Sequence, residues 1–158
     1  FEHFGTIASK TTLEAAVPYV FSRVELAKHN TIYCGIVKLH WADAELARKC
    51  VDSSHMSREQ FENLFEIVFA KKSDRSLLGK LKQAEAIRDK IVHGKPRTEA
   101  ECREALANIF DFAEEFNGFV YNFAKFKPFG SLRGFKGRAK PLSKSTTRWI
   151  LKGMGFAM

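Results

Sequence analysis

Residues 85–101, EAIRDKIVHGKPRTEAE, hold the end of one helix and the start of the next. Gly94 stands where a helix end needs a left-handed residue, and Pro96 stops the helix from resuming at once. Thr98 and Glu101 then have the spacing of a capping box, in which hydroxyl and carboxylate satisfy the first free N–H groups of a new helix. Upstream, Leu77, Leu78, Leu81, Ala84, Ile87 and Ile91 recur at helical spacing, which predicts a helix over residues 75–93. Downstream, Leu106, Ile109, Ala113, Phe116, Val120 and Phe123 advance in steps of three and four, the stripe of a long amphipathic helix.

The same reading extends outward in both directions. A helix is expected over residues 12–28, kinked at Pro18, with a break at His29-Asn30. A second follows from Thr31 to Val51, carrying Ile36, His40, Ala44, Ala47 and Val51. Residues 52–55 read as a loop. Ser57 and Gln60 make another capping box, opening a helix with Phe61, Leu64, Phe65, Val68 and Phe69, and Ser73-Asp74 closes it. Gly79 weakens the helix over 75–93, by about 1 kcal/mol relative to Ala. Asn117-Gly118 is read as a bend. Beyond Pro128 the chain is rich in Gly, Ser, Lys and Arg, and residues 146–153 read as one short helix. Nothing alternates with period two over a useful length, so a sheet is not expected. The expected fold is all-α: an antiparallel bundle of four to five helices over residues 1–127, followed by a short basic extension over residues 128–158.

Length and composition fit one globular domain with a real core. No apolar run reaches the roughly 20 residues of a membrane-spanning helix, and no cleavable signal is visible, although the sequence opens on Phe1 rather than Met. Cys34, Cys50 and Cys102 are far apart, without the CxxC spacing of a zinc site, and read as reduced core thiols. A soluble cytoplasmic protein with no membrane partner, no metal and no cofactor is therefore expected.

Charge is unevenly placed. Residues 1–115 carry 17 Lys and Arg against 18 Asp and Glu, whereas residues 116–158 carry 9 Lys and Arg and no acid. The positive field belongs to the C-terminal segment. Either it is a solvated tail, or it meets a polyanion such as RNA or DNA.

One residue on the helix over 75–93 breaks its pattern. Projected at about 100° per residue, Arg88 falls inside the apolar arc, between Leu77 and Leu81. Asp89 lies at the edge of that arc and His93 one turn further on. An unpaired buried charge costs several kcal/mol, so the guanidinium needs either a partner acid or a solvated cleft. Asp89 and His93 are four apart, so their side chains can hydrogen-bond; that bond and the helix C-terminus both favour imidazolium.

Arg88-Asp89-Lys90-Ile91-Val92-His93 resembles the Arg-x4-His signature of the HEPN (higher eukaryotes and prokaryotes nucleotide-binding) family, with a polar residue directly after the Arg, at the C-terminal end of a helix in a small helical bundle. The resemblance covers residues 10–127. Its implications are specific. Members are typically metal-independent ribonucleases that dimerise so that two motifs face each other, and many act as toxins of toxin–antitoxin pairs or as antiviral effectors. Carried over, Arg88 and His93 are the expected catalytic pair and Asp89 orients them. Two positions differ from common members: Asp89 replaces the more usual Asn, and Lys95 stands where some toxins carry a Tyr that a partner enzyme modifies.

On this reading the partners are RNA, a second copy of the chain, and a cognate antitoxin or regulatory protein. The expected RNA contacts are Lys95 and Arg97 beside the motif, and Arg133, Lys136, Arg138, Lys140 and Arg148 in the tail, together with Lys144 and Lys152. Phe129, Phe135 and Trp149 are interleaved with these cations and either stack on unpaired bases or dock the tail. His40 is read as a satisfied core histidine; His3 and His29 as surface residues; His55 as a loop residue with no nucleophile elbow beside it. The competing function is a non-catalytic helical adaptor that binds nucleic acid or a partner protein through its tail, with Arg88 and His93 structural. A nucleotide-binding sensor using the same cleft is a third.

Overall fold

The computed structural model describes residues 12–133 and 135–157; His3 lies outside them. Among the described residues the fold is all-α, with six helices and no strand: α1 Leu13–Leu39, α2 Ala44–Asp52, α3 Arg58–Phe69, α4 Arg75–Val92, α5 Glu99–Ala124 and α6 Lys144–Gly153. None is long and apolar enough to cross a membrane. The chain forms two compact units. Unit 1 holds α1 up to Leu26 and residues 74–129; unit 2 holds residues 27–73 and 130–157.

In unit 1, α4 and α5 pack as an antiparallel hairpin. Lys80 pairs with Glu115 at 2.7 Å and Asn108 donates to Gln83 at 3.3 Å, so partners descend along α5 as they ascend along α4. Beneath these polar pairs the core takes Val17, Val20 and Phe21 from α1, Leu81 and Ala84 from α4, and Ile109, Phe112 and Val120 from α5, each at most 2% exposed. Both ends of the hairpin turn follow the expected chemistry. Gly94 has φ +71°, and its N–H and that of Lys95 reach back to Ile91 (2.9 Å) and Lys90 (2.8 Å), the Schellman pattern. The Thr98–Glu101 capping box is complete. α5 runs uninterrupted through Asn117-Gly118, and the Asn117 side chain accepts the Phe129 N–H at 2.9 Å.

Unit 2 is centred on a ladder of aromatic rings on α3, with Phe61 to Phe65 at 5.8 Å and Phe65 to Phe69 at 4.7 Å. Gly35 of α1 lies against it: a Cβ there would be 2.6 Å from the Phe69 ring. The expected break at His29-Asn30 is absent, and α1 runs through both residues. Asn30 presents its amide oxygen to Arg48 at 3.3 Å, and the Thr31 hydroxyl donates to Ala27 O at 2.7 Å, within the helix. Ala27, Ile32 and Ile36 are buried on both sides of the site, so burial overrides weak local propensity. The chain breaks later, at Trp41, whose φ is +58°. The single helix expected from Thr31 to Val51 is therefore the end of α1, a corner, and α2.

Two of the helical glycines, Gly79 and Gly35, predict opposite outcomes for one substitution. Gly79 of α4 has open space around its Cβ position, so Gly79→Ala should stabilise by about 0.5–1 kcal/mol. Gly35→Ala should destabilise, because overpacking of about 1–3 kcal/mol outweighs the helix gain. Thermal melts of both variants check this; a higher melting temperature for Gly35→Ala contradicts the packing.

Candidate active site and nucleic-acid interface

In unit 1, the Arg88 guanidinium carbon lies 4.4 Å from the centre of the Phe21 ring on α1, and Nη1 lies 3.1 Å from an oxygen of Asp89. Its side chain keeps 29% of its exposure, yet Nε is buried and has no hydrogen-bond partner. Arg88 is thus half sunk in the apolar arc, with a desolvated donor left over. Asp89 is engaged by Arg88, the neighbour before it, so the Asp89–His93 bond expected from their spacing is not made. His93 caps α4 by its backbone, donating its N–H to Asp89 O at 3.0 Å, while its exposed imidazole forms no hydrogen bond or ion pair among the described residues.

The loop after His93 is pinned from both sides. The Arg97 N–H donates to a Glu14 carboxylate oxygen of α1 at 3.1 Å, and Arg97 Nη1 lies 3.4 Å from Glu101. Arg97 Nε is, like that of Arg88, buried without a partner. Glu101 accepts from the Thr98 backbone N–H at 2.9 Å and from its hydroxyl at 3.0 Å. Those bonds, and then the charges of Arg97 and Lys90, hold the Glu101 carboxyl below the usual carboxylate range. Its contribution to stability is therefore present above the unfolded carboxyl value and lost as pH falls below it. Lys95 is exposed on the same loop.

Phe21 and Glu14 lie seven residues apart on α1, two turns of one face, so α1 and α4 run antiparallel with the motif end of α4 towards the start of α1. Neither partner is marked in the sequence around the motif, because each pairing is long-range. Five residues of helix turn through about 140° net, so Arg88 and His93 leave α4 on different sides. The structure brings Arg88 to Asp89 and Phe21, and leaves His93 in solvent.

In unit 2, the tail is docked through its backbone. Leu142 N–H donates to Trp41 O at 2.8 Å, and Asp43 N–H donates to the Thr147 hydroxyl at 3.0 Å. Thr147 and Leu151, one turn apart on α6, are fully buried. Phe135 packs on Tyr33 at 5.9 Å, so this aromatic docks the tail. Arg133, Lys136, Arg138, Lys140 and Arg148 are all exposed. Arg138 stacks over Trp41 at 4.8 Å, and Lys144 lies 3.5 Å from Glu45. Trp149 is 78% exposed.

The chain matches no protein-family model, no curated protein and no solved structure. His40 Nε2 donates to Val68 O at 2.8 Å, a satisfied structural histidine. His55 lines a cavity of about 460 Å³ with Asn63, Leu64, Ile67, Met154 and Phe156. Among the described residues no three His, Cys, Asp or Glu side chains converge as metal ligands. Cys34 is fully buried and its thiol is pushed up to about 12 by that burial, which makes it a poor nucleophile.

If Arg88 is retained for an anionic ligand rather than for folding, Arg88→Leu should change stability by no more than about 1 kcal/mol, since an exposed ion pair is worth little and the substitution removes an unpartnered buried donor. Denaturant unfolding of the variant checks this; a loss of about 3 kcal/mol or more would make Arg88 a structural residue.

Proposed function

We propose that this chain is a metal-independent endoribonuclease whose catalytic groups are His93 and Arg88, acting as a homodimer in the cytoplasm. The observation that supports it most is the state of Arg88: a guanidinium held against Phe21, with a desolvated donor and no partner at Nε, one turn before an unbonded, exposed imidazole. The resemblance of residues 88–93 to the HEPN signature supplies the substrate class.

RNA carries its own nucleophile. His93 takes the proton from a 2′-OH, the 2′-oxygen attacks the adjacent phosphorus, and the bond to the 5′-oxygen breaks. The leaving oxygen receives a proton from a second imidazole. The products are a 2′,3′-cyclic phosphate and a 5′-hydroxyl. Arg88 exchanges Asp89 for the non-bridging phosphate oxygens, where its planar fork stabilises the charge of the phosphorane. Asp89, set free, orients the imidazole or the guanidinium. Because Arg88 and His93 leave α4 on different sides, the second copy supplies what one protomer lacks, and two-fold symmetry brings the second imidazole. Such an activity suits a toxin or antiviral effector held in check by an antitoxin or regulatory protein.

A second reading draws on the same contacts. Asp89 and Phe21 satisfy much of Arg88, as they would in a non-catalytic adaptor. The two readings separate on single-stranded RNA with excess EDTA. The parent should cleave it, leaving cyclic phosphate ends. His93→Ala and Arg88→Ala should each lose about 10²-fold or more. Specific activity should fall on dilution in step with the dimer population seen by sedimentation. Cleavage undiminished in His93→Ala, or none in the parent, rejects the nuclease.

A further inference from the structure

α6 has two faces of opposite character. Thr147 and Leu151 are buried against unit 2, while Ser145, Arg148, Trp149 and Lys152, spaced over two turns, are exposed on the other side. An indole is among the largest apolar surfaces a side chain can offer, and Trp149 leaves 78% of it in water. It is not a loose residue on a loose tail. The hydrogen bonds Leu142 N–H to Trp41 O and Asp43 N–H to Thr147 Oγ1 fix the start of α6 to the corner after α1. That corner holds a second exposed indole, Trp41, in the left-handed region and under the Arg138 guanidinium. A bulky residue at positive φ is a strained placement that the surrounding contacts must hold.

We infer that the outward face of α6 in unit 2 is a stacking platform for the unpaired bases of single-stranded RNA, with Trp149 as its anchor. The inference rests on the reading of RNA as substrate and gives it a binding site apart from the Arg88–His93 motif. Its chemistry has two requirements, a flat π-face for the indole and a chain of negative charge for Arg148 and Lys152. Unpaired nucleotides meet both at once, and stacking does not depend on which base is offered. A duplex hides its base faces. An anionic membrane meets only the charge: α6 presents one large apolar side chain outward, its other apolar face being used in packing, too little to bury in a bilayer.

The test uses a single-stranded oligonucleotide of 2′-deoxy nucleotides, which has no 2′-OH and is not cleaved by 2′-OH attack, its duplex, and phosphatidylglycerol vesicles. The parent should bind the single strand more tightly than the duplex, with quenching of tryptophan fluorescence. Trp149→Ala should weaken single-strand binding roughly 5- to 150-fold, Trp149→Phe should restore part of it, and duplex binding should stay unchanged in both. Equal affinity of parent and Trp149→Ala, equal affinity for strand and duplex, or a preference for vesicles would each overturn the platform. Trp149 is exposed, so loss of the fold does not confuse the result. Platform binding without RNA cleavage removes the nuclease alone; cleavage with a silent Trp149 removes the platform alone.

Discussion

The termination of α4 is the constraint on which the candidate active site depends. A helix that ran on past Val92 would carry His93 around its own axis and bury or expose it as packing required. Instead Gly94 turns the chain left-handed, two backbone bonds close the helix end, and the next helix starts at Thr98 with its own cap. Glu14 holds this turn to α1 through the Arg97 N–H. Each bond is individually modest, about 1 kcal/mol net. Together they fix the backbone at which a free imidazole and a half-buried guanidinium stand five residues apart.

Arg88 fits poorly as a purely structural residue. A stabilising arginine at an apolar face would place its donors on a facing acid, as Lys80 does with Glu115 across the hairpin. Arg88 pairs with the residue next to it, a contact that ties no other element down, and leaves Nε dry and unpartnered. The cation–π contact with Phe21, 4.4 Å from the guanidinium carbon to the ring centre, holds the head group against α1.

What the sequence made legible was local chemistry. Both capping boxes, the left-handed Gly94, and the placement of Arg88 within an apolar arc follow from spacing over a turn or two, and the structure has them. What it hid was long-range. His29-Asn30 looks like a break until Arg48 is seen to occupy the Asn30 amide. His40-Trp41 looks like helix until a positive φ turns the chain there. The i,i+4 spacing points to His93 as the partner of Asp89, whereas its carboxylate pairs with the adjacent Arg88. Phe21 carried no mark at all beyond apolar spacing.

The tail shows the same division between what holds and what is left over. Its attachment to unit 2 runs through backbone N–H groups, a threonine hydroxyl and the buried Leu151, none of them charged. Among the described residues, Lys144 is paired with Glu45, and that contact is largely in solvent. Folding the tail therefore does not neutralise its cations. Within unit 2, residues 130–158 contain 7 Lys and Arg and no acid, so the segment carries charge of one sign. Self-repulsion among those charges opposes the compact state. On the proposed reading, that charge meets a negatively charged partner whose counterions are released as the cations bind it.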